Sequence, residues 1–246
     1  MVALLVALQF LTVLPPPARR PVTAEDLGRA VGWFPLVGAL LGAVLAGGAV
    51  VLAGRLHGGV GAALLLALWA VLTGGLHLDG LLDTCDGLFG GRTPAERLRI
   101  MRDEQVGAFA VIGGGLLLIT KHAALSSLPD PAVALFLAPV VARWAMALAI
   151  VMFPYARGEG LGRAMKDHAR PRDAWLATAL AAAAVALAGL VAFGGPKAVL
   201  GATVTGLAAG GVLVWVVLRR LPGLTGDVYG ALAEVVETAV LVGFCL

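Results

Sequence analysis

The sequence predicts an all-α protein, a polytopic helix bundle that is integral to a membrane. Of its 246 residues 60% are apolar and only 13% are charged, whereas a soluble domain carries about 25% charged residues. A globule of this size could not bury so much apolar surface and keep a polar shell. Apolar stretches of spanning length recur along the chain, and the 34 glycines suit close packing between membrane helices.

The first apolar segment is too short to cross a bilayer. As a helix, residues 1–14 would reach about 21 Å, and they end at Pro15, Pro16 and Pro17. The segment has neither a basic start nor a small-residue cleavage site, which argues against a cleaved signal peptide. We expect a short interfacial or re-entrant helix here.

About seven full spans are predicted after this helix, all within a single transmembrane catalytic domain over residues 1–246. Two of the intervening loops, 77–106 and 154–173, are long, and no internal repeat or separate soluble domain is visible. The predicted spans are residues 31–54, 59–76, 107–127, 132–153, 174–193, 198–218 and 228–246.

Basic residues indicate how the chain is oriented. If residues 15–30 are cytoplasmic, alternation also makes loops 77–106, 154–173 and 219–227 cytoplasmic. The opposite side then receives only Arg55 and Lys197, as the positive-inside rule requires. The basic residues of the cytoplasmic loops are Arg19, Arg20, Arg29, Arg92, Arg97, Arg99, Arg102, Arg157, Arg163, Lys166, Arg170, Arg172, Arg219 and Arg220.

Three aspartates at the end of the second span share one helical stripe. Asp79, Asp83 and Asp86 are spaced i, i+4 and i+7, and His77 precedes them. Like charges this close repel unless a cation or proton intervenes, and Mg²⁺ prefers such oxygen ligands. The alternatives are a helix end whose acids simply face water, or the cation or proton site of a pump.

A second acidic cluster begins the last span. Asp227 follows Thr225, and Asp227 and Glu234 lie seven residues apart on one helix face. Asp227 alone could be a helix cap, but a cap does not explain Glu234 and Glu237 within an apolar span. By the predicted topology both acidic helices present carboxylates at the same membrane surface.

Cationic residues suitable for phosphate lie in the loops and in two spans. Arg157 belongs to a glycine-broken loop, which suits an anion but also serves topology, and Arg102 lies in a charged patch that an ordinary surface helix would share. Lys121 and Arg143 fall inside spans, where each costs about 2.5–3.5 kcal/mol at the bilayer centre. Lys121 could snorkel or pair with an acidic face; Arg143 lies mid-span and is predicted to be a site residue.

Together these groups favour phosphoryl transfer, in which a protein mostly positions groups and neutralises charge. The sequence contains no Walker A loop, serine nucleophile elbow or HExxH motif. The residues alone therefore leave two classes open, a Mg²⁺-dependent membrane phosphotransferase and an ion-coupled transporter.

The motifs resemble those of the cobalamin synthase family, the adenosylcobinamide-GDP ribazoletransferases, in order and over nearly the whole chain. The most specific is HxDGxxDTxDG, formed here by His77, Asp79, Gly80, Asp83, Thr84, Asp86 and Gly87. The others are Phe10–Pro15, Phe34–Gly38, Ile100–Asp103 with Gly107, Lys121, Arg143, Tyr155–Arg157 with Glu159–Gly162, and Thr225–Asp227 with Gly230, Ala231, Glu234 and Glu237.

This resemblance implies a reaction in the cytoplasmic (inner) membrane, with the active face cytoplasmic. A hydroxyl of α-ribazole or its 5′-phosphate would attack the phosphorus attached to cobinamide in adenosylcobinamide-GDP, GMP would leave, and Mg²⁺ would be required. The carboxylates of Asp79, Asp83 and Asp86 would hold the metal. The catalytic set would add His77 and Asp227, with either a metal-held carboxylate or His77 as base. Substrate would contact Arg102, Lys121, Arg143, Arg157, Thr225, Glu234 and Glu237.

The expected partners are these two substrates and membrane lipid; nucleic acid is not expected, and a homo-oligomer stays open. This chain departs from the family at Glu104 and Gln105, where Ser-Arg is usual, so a phosphate-binding cation is lost. A phospholipid synthase of the CDP-alcohol type is the rival enzyme, but its DGxxAR pattern is missing. A transporter would need acids near mid-membrane with access from both sides.

Overall fold

The computed structural model describes residues 2–15, 21–192 and 194–246, and over these ranges the chain is helical with no strand. The predicted all-α bundle is therefore confirmed, while Pro16, Pro17, Arg19, Arg20 and the end of the predicted span 174–193 lie outside the described residues. The helices are α1 Val2–Leu11, α2 Ala24–Ala30, α3 Phe34–Leu52, α4 Gly58–Thr73, α5 Leu76–Gly90, α6 Pro94–Ile100, α7 Ala108–Ser127, α8 Ala132–Met152, α9 Leu161–His168, α10 Pro171–Val191, α11 Gly195–Leu218 and α12 Gly226–Gly243.

The count of seven spans is not confirmed. Within the described ranges five helical segments are long and apolar enough to cross a membrane: α2 continued into α3, then α7, α8, α10 and α11. The pair α4 and α5 would make a sixth, but it is bent by 91°. The helix α12 forms as expected, yet it carries Asp227, Glu234 and Glu237. Most of α12 is buried against protein, so these acids need not face lipid.

Small residues bring α3 against α8 at the centre of the bundle. A Cβ atom at Gly38 would collide with the backbone of Pro139, and one at Gly42 with the backbone of Phe136. Glycine is therefore needed at both positions for this close approach. Most of α8 is buried as a result, including Arg143, which is fully enclosed.

Two glycines make the sharp turn between α4 and α5. Gly74 and Gly75 have φ angles of +61° and +72°, in the left-handed region that glycine adopts without steric cost. The turn sends α5 alongside α12, where Gly80 lies against the backbone of Asp227 and Gly230 lies against that of His77. The segment 77–106, expected as a long loop, thus contains α5 and α6, and the segment 154–173 contains α9.

The loops predicted to be cytoplasmic meet at one end of the bundle. Arg97 donates to the carbonyl of Arg220 at 3.3 Å, and Arg220 donates to the carbonyl of Leu88 at 3.0 Å. The backbone N–H of Leu224 donates to the carbonyl of Pro154 at 2.8 Å. Three loops that are predicted to lie on the same side of the membrane therefore contact one another directly.

Candidate active site

Two neighbouring cavities open at this end of the bundle. The larger, about 540 Å³, lies between α1, α5, α8, α9, α12 and the loop before α9 and is called here the main cavity. The smaller, about 380 Å³, is lined by the aspartate stripe of α5 and by residues 101–106, and is called the acidic cavity. Asp79 and Arg102 line both cavities, so the two spaces adjoin at these side chains.

The stripe on α5 concentrates negative charge beside the acidic cavity. Asp79 and Asp83 both line the acidic cavity, and neither carboxylate has a hydrogen-bonding or ion-pairing partner among the residues that the structure describes. The charges of Asp227, Asp79 and Asp86 all act on the Asp83 carboxyl, and the charge of Arg157 opposes them. Asp227 of the second predicted acidic cluster is therefore brought beside the stripe, whereas Glu234 and Glu237 line neither cavity.

Asp86 differs from the other two aspartates of the stripe. One of its oxygens accepts the backbone N–H of Gly107 at 2.6 Å, and the other accepts that of Ala110 at 2.8 Å. These are orphan donors at the start of α7, so Asp86 caps that helix from another part of the chain. Over the described part of the chain, no group of three or more His, Cys, Asp and Glu side chains has the geometry to hold a metal ion.

Thr225 and Arg157 fix the position of Asp227 at the start of α12. The Thr225 hydroxyl accepts the N–H of Val228 at 3.2 Å, which makes Thr225 the helix cap; the alternative explanation of Asp227 as the cap is wrong. Arg157 donates to one Asp227 oxygen at 2.6 Å and to the carbonyl of Met101 at 3.4 Å. Asp227 and Arg157 line the main cavity, whereas Thr225 is fully buried.

Arg102 lies at the mouth where the cavities meet. Its guanidinium is 3.3 Å from a carboxylate oxygen of Glu159, and both side chains are more than half exposed. An exposed pair of this kind contributes little to stability. Arg102 is therefore free to exchange Glu159 for an anionic ligand.

Four predicted substrate-binding residues pair with one another in the core. Lys121 donates to Glu234 and to Glu237 at 2.6 Å each, and Arg143 donates to the other oxygen of Glu237. The Lys121 ammonium also lies 4.5 Å from the centre of the Trp69 ring. Two cations balance two anions, and none of the four lines either cavity. We call these four residues the buried charge network.

His77 connects the buried charge network to the main cavity. Its Nδ1 lies 3.3 Å from the Arg143 guanidinium. A guanidinium only donates, so Nδ1 accepts and the single proton of a neutral ring resides on Nε2. The ring is buried, lines the main cavity and has no partner for Nε2 within the described ranges.

The profile of the family described as cobalamin-5-phosphate synthase matches residues 3–245. The chain belongs to this family.

Curated relatives match this chain over most or all of their lengths. The adenosylcobinamide-GDP ribazoletransferase of Pseudomonas fluorescens is 40% identical, with all of both chains covered. The protein of that name from Roseiflexus is also 40% identical, covering 96% of this chain and 86% of its own. That from Desulforamulus reducens is 38% identical, covering 97% and 94%. No solved structure matches this chain.

Several residues that line the main cavity were not predicted as site residues from the sequence. Tyr155, named there only as part of a motif, accepts the N–H of Gly226 at 3.2 Å, and burial raises the pKa of its phenol. Phe10 too was named only as part of a motif, and the apolar lining residues Met146 and Met165 were not predicted at all. They lie on three helices far apart in sequence, and an isolated apolar residue in an apolar chain carries no signal of its own.

Proposed function

We propose that this chain is an adenosylcobinamide-GDP ribazoletransferase and catalyses the last assembly step of the cobalamin nucleotide loop. A hydroxyl of α-ribazole or its 5′-phosphate attacks the phosphorus attached to cobinamide. A new P–O bond forms, the P–O bond to GMP breaks, and the hydroxyl proton passes to a base. The observation that carries this proposal is the convergence of Asp79, Asp83 and Asp227 beside Arg157. The names of the full-length relatives agree with it.

The free carboxylates suit Mg²⁺ as the cofactor. Asp79 and Asp83 line the acidic cavity without hydrogen-bonding or ion-pairing partners among the described residues, and their charges repel each other. Magnesium is usually held by one or two carboxylates together with substrate phosphates and water, so a cage of three protein ligands is not required. Asp79 and Asp83 would hold the ion, with Asp86 orienting α5 against α7. When bound, Mg²⁺ neutralises charge on the diphosphate oxygens.

The remaining site residues have separate roles in this proposal. Arg102 and Arg157 bind phosphate oxygens, where a guanidinium matches phosphate geometry. A carboxylate of the Asp79, Asp83 and Asp227 group accepts the proton of the attacking hydroxyl. His77 is a poor candidate for this base because its acceptor nitrogen already faces Arg143. It instead presents an N–H to substrate in the main cavity.

We further propose that the protein lies in the inner membrane with both cavities facing the cytoplasm. The support is the joining of the basic loops at the end of the bundle where the cavities open. A phospholipid synthase or a transporter is not favoured by the family match.

The test is release of GMP by the purified protein in detergent. Adenosylcobinamide-GDP and α-ribazole should both be required, and the corrinoid product should appear in equal amount. Asp83→Asn should be inactive, whereas Glu25→Gln, at an exposed pair with Arg29, should match the unmodified protein. An unmodified protein that releases no GMP with both substrates and Mg²⁺ present would refute the proposal.

A further inference from the structure

The main cavity has two chemically different walls. The wall made by α5, α12, the loop before α9 and Arg102 carries its charged groups, among them Asp79, Arg157 and Asp227. The wall made by α1, α8 and α9 is apolar, and its lining residues are Phe10, Met146, Ile150, Leu161 and Met165. A ligand that fills this cavity therefore needs an apolar end and a polar end.

The apolar wall is held firmly in place. Met146, Ile150 and Met165 are buried by surrounding helices although they line the cavity. Phe10 stacks on Phe34 with ring centres 6.0 Å apart and planes 14° from parallel. Two methionines and an aromatic ring make a surface suited to a flat aromatic ring, since thioether sulfur contacts aromatic rings favourably.

Size and polarity discriminate among the groups that the proposed reaction brings to the site. A cavity of about 540 Å³ has the size of a small-molecule pocket and is too small for a corrin macrocycle with its side chains. Guanine carries donors and acceptors around its rim, and burying them without partners would cost about 1–3 kcal/mol each. The base of α-ribazole is a benzimidazole, whose edge remote from the nitrogens is hydrocarbon.

We infer that the main cavity is the subsite for the acceptor nucleoside, with its apolar heterocycle against Phe10, Met146 and Met165. This inference rests on the proposed function. The ribose then lies toward Asp79 and Asp227, and a 5′-phosphate, where present, lies near Arg102 or Arg157. The activated corrinoid presents its diphosphate from the acidic cavity, and the substrates meet where the two cavities adjoin.

The test measures how a substitution in the apolar wall changes the KM of each of the two substrates. Met165→Gln keeps the length of the side chain and makes the apolar wall polar. It should raise KM for α-ribazole about ten-fold and leave KM for adenosylcobinamide-GDP within two-fold. The matched control is Met152→Gln, because Met152 is 67% exposed and lies outside the cavity lining. Both KM values of the control should be unchanged.

A second variant tests the same inference if the Met165→Gln protein does not fold. Leu161 lines the cavity yet is 59% exposed, so Leu161→Trp narrows the cavity without disturbing the core and should raise KM for α-ribazole alone. A rise in KM for adenosylcobinamide-GDP instead, or no change in either KM, would overturn the subsite while the proposed reaction stands. A fall in kcat with both KM values unchanged would overturn it too. Failure of the proposed function is distinct, because then the unmodified protein would release no GMP.

Discussion

Arg143 and His77, on α8 and α5, meet in the core at an Nη2–Nδ1 distance of 3.3 Å. Because Arg143 can only donate, this contact determines which nitrogen of His77 carries the proton. It leaves the N–H on Nε2, which is buried and has no partner among the described residues, in a ring that lines the main cavity. The contact thereby joins a fully buried cation to the region where substrate is proposed to react.

The role of His77 as a donor predicts unequal effects of two substitutions. His77→Gln retains an N–H group and should keep most of the turnover, whereas His77→Ala should lower kcat by about 100-fold, as loss of one preorganised donor does. Initial rates of GMP release at saturating substrates measure both. His57→Gln, in the exposed turn before α4, is the control. Equal inactivity of the Gln and Ala variants would instead indicate proton transfer by the ring.

The buried charge network predicts a stability effect with a defined rescue. Arg143→Met leaves Lys121 alone with both glutamates and should lower the free energy of unfolding by about 3–5 kcal/mol. The double variant Arg143→Met, Glu237→Met leaves Lys121 paired with Glu234 and should recover much of the loss. Thermal unfolding in detergent measures both variants. If the Arg143→Met protein were as stable as the unmodified protein, the buried charge network would not contribute to the free energy of unfolding.

Substitution of Asp83 should affect activity, whereas substitution of Asp86 should affect stability. Asp83→Asn removes a carboxylate that has no partner among the described residues and should abolish turnover with no loss of thermal stability. Asp86→Asn weakens the cap on α7 and should cost about 1 kcal/mol of stability. Activity and unfolding temperature are measured on the same preparations. An active Asp83→Asn variant would remove the basis for the metal site.

Magnesium should be detectable without turnover. A ligand that binds only the folded state raises its stability, so Mg²⁺ should raise the unfolding temperature of the chelator-treated protein. The double variant Asp79→Asn, Asp83→Asn should not respond, whereas Glu25→Gln should respond normally. Chelation should also abolish GMP release, and added Mg²⁺ should restore it. A stabilisation retained in the double variant would place the ion elsewhere.

Orientation can be tested by single-cysteine labelling in a background that lacks Cys85 and Cys245. Cysteine at position 92 or 163 should react only from the cytoplasmic side, because these positions lie in loops rich in basic residues. Cysteine at the exposed position 55 should react only from the other side. The reverse pattern would invert the proposed topology and move both cavities to the opposite face.

The sequence predicted the features that depend on local spacing. The stripe of Asp79 and Asp83 follows from helical periodicity, and their carboxylates do lie on one side of α5 beside the start of α12. Contacts between distant segments were not predictable in this way. The capping of α7 by Asp86 depends on Gly107, 21 residues away, and no local pattern records it.

The number of spans was missed for a related reason. Hydropathy treats each helix as if it faced lipid, whereas α12 is enclosed by other helices and tolerates Glu234 and Glu237. The bend at Gly74 and Gly75 was also missed. A pair of glycines marks a break in a helix, but the angle of the break is set by the packing of α5 on α12.

The pairing of Lys121 with Glu234 also constrains the biogenesis of the protein. The two residues are 113 positions apart, so the ribosome delivers the cation to the membrane well before its counter-charge. Until α12 is made, both α7 and α8 carry an uncompensated charge, at about 2.5–3.5 kcal/mol each near the bilayer centre. Pairing with α12, a helix synthesised after both of them, therefore removes a cost that these two helices carry earlier.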